Sequence, residues 1–532
     1  MVESVWTAFA CGMATTVVAF ASWRASSTRR QPVTRAHLRG RALTPPQSIT
    51  RSAESPPAQP GTSLQWGRVC LPTRAACGHF AFIGTTGSGK TILQRLLLQS
   101  VLPVIGTGQG CRALVYDAKQ DSLPLIGGMS PGSPVRILHP SDRRASAWDM
   151  AVDITGPNAA LQVATMLIPR SKNDTNPFFA NAARHLLFGV LLGLIRFAPG
   201  RWTFRQLLLI ARDPARLESA LRRDESTRHL LLYFNHEGTF QNIVSTILTC
   251  TAPYETVAAA WDRASHRLSL RGWLEEESVL VLGNDEANRA AVDTLNRMVF
   301  QRLAELILAG PETQPEKGSR TWLFLDEVRE MGRLEGLSRL LTKGRSKGAA
   351  VVLGLQDVAG LRDVYGREVA EEILGQCNAK VILRLNSPDT ADWASRLFGH
   401  CEILESATTE SRSRSFRFPG WDTGGNHGRS VSSSIARREA VLDSEFLDLP
   451  ETTRANGLTG LFLSPSTGGF RDTIPGDWIA RRLQSPDRAI PESIPRPESD
   501  QYLRPWSGAD ALDEPREASP SLGRVQDTRG TS

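Results

Sequence analysis

The chain has 532 residues, enough for two or three domains, and a formal net charge of +7. That mild excess permits an anionic partner, nucleic acid or a membrane surface, without requiring one. Its seven cysteines are scattered with no C-x-x-C pair and no H-E-x-x-H occurs, which argues against a disulfide framework, structural zinc and a catalytic zinc.

Val5 to Trp23 carries no charge, has tryptophan at each end and meets Arg24 at once. As a helix it would span about 28 Å, close to the roughly 30 Å hydrocarbon core of a bilayer. From Arg24 to Arg51 there are seven arginines and no acid. By the positive-inside rule everything after the helix is then cytoplasmic. Residues 1–24 are thus expected to be a single membrane anchor. Residues 25–61, rich in Ser, Pro, Arg and Thr, read as a basic linker or disordered arm.

Next comes Gly84-Thr85-Thr86-Gly87-Ser88-Gly89-Lys90-Thr91, the G-x-x-x-x-G-K-[ST] phosphate-binding loop. Glycines let successive N–H groups curl toward phosphate oxygens, and the helix that follows adds its positive end. Lys90 reaches the β- and γ-phosphates of ATP and Thr91 ligates Mg²⁺. The setting is the required one. A buried-strand pattern, His79–Ile83, precedes the loop, and a helical one, Ile92–Leu98, follows. Arg112–Asp117 reads as a second buried strand; Asp117 to Lys119 at its end are either a ligand contact or a turn.

Residues 158–275 change to helical spacing, with Phe178–Phe197 and Gln241–Trp273 the clearest stretches. Leu186–Ile195 is too short between Arg184 and Arg196 for a membrane span and suits a buried core helix. This block is expected to be an all-α domain inserted between two parts of an α/β domain, 62–157 and 276–483. In the second part Ser278–Gly283 is a strand and Arg289–Ala309 an amphipathic helix. Thr321–Leu325 is then a buried strand ending in Asp326-Glu327, a Walker B element. Asp326 would hold the Mg²⁺ shell and Glu327 would orient and deprotonate water. A basic loop, Gly344–Gly348, leads to a strand ending in Gln356. Lys380–Leu385 is another strand, and Leu458–Ser464 is expected as an edge strand. Between Ser411 and Arg438 stand six arginines with Phe416, Phe418 and Trp421. They read either as a single-strand-binding surface or as a solvated loop or long hairpin. Residues 484–532, with nine acids against six arginines, read as a disordered acidic tail.

The chain resembles the coupling proteins of type IV secretion and conjugation, the TraD/TraG/TrwB family, relatives of the FtsK/HerA DNA pumps. The resemblance runs from about Gly67 to Trp478. It is carried by FIGTTGSGKT, LVYDAKQD, ILHPSDRRASAWDM, NPFFANAARHLL, WLFLDEV, TKGRSKGAAVVLGLQDVAGLRDVYG and VILRLNSPDTADW. It implies a RecA-like P-loop ATPase domain with an inserted all-α domain, a homo-hexameric ring and an inner-membrane location. Arg345 would be an arginine finger and Gln356 a γ-phosphate sensor. The implied partners are single- or double-stranded DNA, relaxase and relaxosome proteins, and channel components. Family members commonly carry two N-terminal spans where this chain shows one. The expected activity is ATP-driven transfer of a relaxase–DNA complex into the channel. Its rivals are an ATPase of the same fold driving protein export or pilus assembly, and a substrate-docking platform.

Overall fold

The computed structural model describes residues 27–30, 34–44, 61–129, 132–170, 177–313, 319–415, 424–483, 490–491 and 493–510. The expected span Val5–Trp23 lies outside them. By internal contacts the chain forms two units, residues 46–386 with 449–532, and residues 1–45 with 387–448.

The larger unit is built on a nine-stranded sheet. Its strands in chain order are β1 (Phe80–Ile83), β2 (Arg112–Asp117), β3 (Val135–Leu138), β4 (Val279–Gly283), β5 (Thr321–Leu325), β6 (Ala349–Leu355), β7 (Ala379–Ile382), β8 (Leu458–Ser464) and β9 (Gly468–Ile474). The spatial order is β9-β8-β7-β1-β6-β5-β2-β4-β3. β1 to β7 run parallel, and β8 and β9 close one side as an antiparallel hairpin. Leu458–Ser464 is therefore next to the edge and β9 is the edge strand, a correction to the sequence reading. The unbroken apolar runs of β1, β4, β5 and β6 follow from burial on both faces. A hairpin of Ser63–Trp66 and Val69–Pro72 places Trp66 against Phe80, Phe82 and Phe462, with ring centroids 5.4–5.9 Å apart.

Register decides where the chemistry falls. Leu325 stands opposite Tyr116 and Leu353, and Ile83 opposite Leu355 and Ile382. The residues that follow β1, β2, β5 and β6 thus leave one edge of the sheet together, the carboxyl edge where open α/β sheets hold ligands.

The helical block opens with Pro157–Leu167 and continues through Phe178–Phe197, Phe204–Arg212, Pro214–Arg223, Glu237–Thr251 and Glu255–Asp262. Phe178–Phe197 is long and apolar enough to cross a membrane, but Leu186, Leu187, Val190, Leu191 and Leu194 are fully buried among its neighbours. The stretch expected as helix over Gln241–Trp273 is interrupted. Pro253 follows the first helix, and Arg267–Leu268 pairs with Ala147–Trp148 before a short helix, Leu270–Trp273.

Residues 490–491 and 493–510, expected to be disordered, lie on the body of the larger unit. Ile490 packs over Gly127, and Arg143 N–H donates to the Ile494 carbonyl at 2.8 Å. Arg496 Nε donates to Pro140 O at 2.7 Å and Arg504 Nε to Asp262 Oδ2 at 2.6 Å. Arg205, itself buried, holds both carboxylate oxygens of Asp510 at 2.6 and 3.1 Å. Paired charges and backbone hydrogen bonds tie the segment down, which a count of apolar residues does not register.

In the smaller unit Ser27–Arg30 and Thr34–Gly40 both pair with the long strand His400–Ser415, which pairs in turn with Gly424–Glu439. The stretch expected as a basic linker or disordered arm thus supplies two strands, because a backbone ladder needs no apolar side chains. The basic, serine-rich stretch is a long hairpin, with exposed Arg429, Arg437 and Arg438 on its return strand. Phe416, Phe418 and Trp421 lie outside the described residues. In this unit Phe398 and Phe446, both buried and with ring centroids 5.8 Å apart, pack the helices Pro388–Phe398 and Asp443–Leu447 together.

Candidate nucleotide site

Gly84 to Thr91 link β1 to the helix Lys90–Val101. Gly87 and Gly89 hold φ of +76° and +99°, the left-handed region that side chains disfavour. A Cβ on Gly84 would sit 2.6 Å from Ser88 Oγ and 2.7 Å from Leu383 Cβ, so the loop is closed there. Among the described residues nothing lies within 4 Å of a Cβ placed on Gly87, and the loop is open there; Thr86 beside it is exposed. Lys90 Nζ, buried, donates to the Gly84 carbonyl at 2.6 Å and lies 3.7 Å from Glu327 Oε1. Burial pushes its ammonium below the ordinary lysine value, against the opposing pull of Glu327 and Asp326.

β5 delivers Asp326 beside the loop. Thr91 Oγ1 donates to Asp326 Oδ2 at 3.3 Å, and Gln94 Nε2, one helical turn from Lys90, to Asp326 Oδ1 at 3.1 Å. Glu327 is buried at φ +52°, a conformation costing a non-glycine residue roughly 1 kcal/mol or more. Gln356, exposed beyond β6, lines a cleft of about 370 Å³ with Glu327 and Asp357. Because β6 lies between β1 and β5, Gln356 emerges between the phosphate loop and the paired acids. Asp117 is a turn residue: it accepts the N–H groups of Asp121 and Ser122 at 3.2 and 3.0 Å, and burial raises its carboxyl above the usual range.

Arg345 is not part of this constellation. It is exposed in the turn Gly344–Lys347 that precedes β6, at the amino edge of the sheet. Residues the motifs did not reveal are Gln94, Thr452, whose Oγ1 donates to the Ser88 carbonyl at 2.7 Å, and Asn386, whose Nδ2 donates to Thr85 Oγ1 at 3.2 Å. Gly354 was missed too. A Cβ there would overlap the Asp326 carboxylate and stand 2.6 Å from Gln94 Nε2. The spacing from Lys90 to Gln94 could have flagged one of these; the others come from remote chain.

The site fits a magnesium nucleotide. Ser88 Oγ is buried without a hydrogen-bond partner among the described residues, the glycine loop is open at Gly87, and Thr91 with Asp326 offers hard oxygen donors. Among the described residues no cluster of His, Cys, Asp and Glu forms another metal site.

A phosphate loop and paired acids on one edge of a parallel sheet, with a third strand between them, define a P-loop nucleotide-binding protein. Residues 63–459 match the type IV secretion-system coupling protein DNA-binding domain, and the chain belongs to that family. Its relatives include coupling protein TraD of Escherichia coli (strain K12), 22% identical over 510 residues, which cover 93% of this chain and 66% of TraD. The chain therefore spans just under two thirds of that relative. Conjugal transfer protein TraG of Agrobacterium fabrum is 27% identical over 131 residues, 24% of this chain and 18% of TraG. Among solved structures, unbound conjugative coupling protein TrwBdeltaN70 superposes with a TM-score of 0.63 at 22% identity, covering 87% of this chain and 97% of that one. TrwB in complex with ADP and Mg²⁺ gives 0.62 at 21% identity, covering 88% and 100%. At such identities the likeness is one of fold.

Proposed function

We propose that this coupling protein is a membrane-anchored ATPase that recruits a relaxase–single-stranded DNA complex and drives it into a type IV secretion channel, working as a ring of identical subunits. The observation that carries the reading is the meeting of Lys90, Thr91, Asp326, Glu327 and Gln356 at one sheet edge in a chain of this family. Membership in a family described by DNA binding supports the substrate class, and the uncharged Val5–Trp23 with its arginine flank supports the anchor.

Thr91 Oγ1 would ligate Mg²⁺ directly and Asp326 would hold its shell. A bound ion would supply Lewis-acid neutralisation of the negative charge that develops on the phosphate oxygens. The chain's residues do the rest. Lys90 exchanges its contact with the Gly84 carbonyl for phosphate oxygens, and Ser88 Oγ gains a partner. Glu327 orients the attacking water and accepts its proton, and Gln356 senses the terminal phosphate across the cleft. Arg345 belongs to the next subunit's site, because within its own chain it stands at the opposite edge.

The test is ATP hydrolysis by the full-length protein with and without single-stranded DNA, beside a Lys90→Ala variant. Stimulation by DNA and loss of both hydrolysis and DNA transfer in the variant are expected. Transfer that survives Lys90→Ala would leave a docking platform, and hydrolysis indifferent to DNA would leave a protein-export ATPase.

A further inference from the structure

The amino edge of the sheet holds a cavity of about 770 Å³. Its lining includes Arg74, Arg320 and Arg345 with Thr73, Ser100 and Gln109, and no carboxylate among the described residues. Arg74 and Arg345 are exposed and have no carboxylate partner among the described residues. Arg320 is buried behind them, with Nη1 3.2 Å from Cys77 Sγ. Two exposed guanidinium groups on one concavity, Arg74 and Arg345, repel one another, and an anion of several charges relieves that. Guanidinium forks suit phosphate oxygens in pairs.

The two exposed arginines come from separate pieces of chain that a single side chain joins. Arg74 lies in the turn Thr73–Gly78, which ends at His79, and Arg345 follows the helix Leu337–Lys343. His79 is buried and held at φ +51°. Its Nε2–H donates to the Leu341 carbonyl at 3.0 Å and its Nδ1 accepts the Val351 N–H at 3.1 Å. The ring thus pins the Arg345 helix and the start of β6 to the chain that enters β1. Both ring nitrogens are satisfied in the neutral state, and burial pushes the imidazole down to about 4, so the brace is uncharged at physiological pH.

We infer that this cavity is a second polyphosphate-recognition face, that it receives the terminal phosphates of the nucleotide held by an adjacent copy, and that Arg74 acts there beside Arg345. The inference rests on the ring reading above. Arg345 alone offers one fork; Arg74 adds a second to a triphosphate whose own subunit already supplies Lys90 and the metal.

The test uses full-length Arg74→Ala, Arg74→Lys, Arg345→Ala and Glu327→Gln proteins. Arg74→Ala should keep the wild-type affinity for a fluorescent ATP analogue and lose about 10²-fold in kcat, the scale of one preorganised donor. Arg74→Lys should recover part of that loss. Co-assembly of Arg74→Ala with Glu327→Gln should restore hydrolysis that neither shows alone. Wild-type kcat in Arg74→Ala, with Arg345→Ala inactive and complemented by Glu327→Gln, overturns the inference and leaves the ring reading standing. An active Arg345→Ala protein overturns both. Loss of DNA affinity in Arg74→Ala with kcat intact reassigns the cavity to DNA phosphates and also overturns it. Binding of the analogue to monomeric Lys90→Ala protein, abolished by adding Arg74→Ala, would mean a free nucleotide occupies the cavity, and overturns the adjacent-copy assignment.

Discussion

Replacing Asp510 by alanine tests whether the last described segment is part of the fold. Its carboxylate makes a two-point contact with buried Arg205 and accepts Ser507 N–H at 2.7 Å and Ser507 Oγ–H at 2.9 Å. These bonds, the guanidinium first, hold the carboxyl down from an ordinary 3.8 to about 2. At 1.36 kcal/mol per unit that difference corresponds to about 2 kcal/mol. Removing one partner of a buried pair costs roughly 3–5 kcal/mol when the other is left bare. Here Arg205 keeps the Arg504 carbonyl at 2.9 Å, the Pro505 carbonyl at 2.5 Å and Asp262 at 3.7 Å, so the lower figure is the better guide. At roughly 2.1 cal/mol/K of unfolding entropy per residue, a unit of this size shifts by about 1 °C per kcal/mol, so Asp510→Ala should lower the melting temperature by about 2 °C. A carboxyl whose folded value is depressed contributes stability that is fully present above its unfolded value and is lost as pH falls through the folded one. The gap between wild type and variant should therefore hold from pH 7 to about 4 and close toward pH 2. Thermal melts of both full-length proteins across that range decide it. A shift under about 1 °C at pH 7, or a gap already closed at pH 5, would show that the segment is not anchored through this pair.

Other perturbations probe the site and the smaller unit. Gly354→Ala should push Asp326 away from Thr91 and Gln94, so that hydrolysis falls at least tenfold and the Mg²⁺ concentration for half-maximal rate rises, with overpacking costing about 1–3 kcal/mol in stability. An unchanged Mg²⁺ dependence would refute this. Arg345→Ala should bind ATP normally yet lose most hydrolysis, and mixing with Glu327→Gln should recover part; co-assembly without recovery would rule out action in trans. Removing residues 1–60 should leave ATP affinity within about twofold, because no strand of the nine-stranded sheet lies there. It should also bare the His400–Ser415 strand edge and promote aggregation, measurable by light scattering.

The nucleotide site was legible in the sequence where its chemistry is local to the chain. The phosphate loop and the Asp326-Glu327 pair each sit in a few consecutive residues, and apolar runs of four to seven marked the parallel strands that align them. What stayed hidden depends on distant chain. Thr452 and Asn386 reach the loop across more than 300 positions, and Gly354 matters only because its neighbour strand puts a carboxylate where a methyl would go. The two largest misreadings share a cause. Thr34–Gly40 and Ile494–Asp510 lack the apolar content of a core, and composition therefore assigned the first to a basic linker or disordered arm and the second to a disordered tail. One is held by a backbone ladder and the other by arginine–carboxylate pairs, and neither leaves a hydropathic trace.

The parallel sheet has a consequence for symmetry. β5 is five residues long, so the edge with the phosphate loop and the edge with Arg345 lie about 16 Å apart through one slab. Two copies related by a two-fold axis would set like edge against like, and neither site would gain an arginine. Completion in trans demands a heterologous, head-to-tail contact, and a run of such contacts either closes or remains open-ended. An open run of n copies always has one loop without a neighbour's arginine; a closed one has none. Closure therefore has a signature apart from shape: turnover per chain should rise with assembly and level off once the circle is complete.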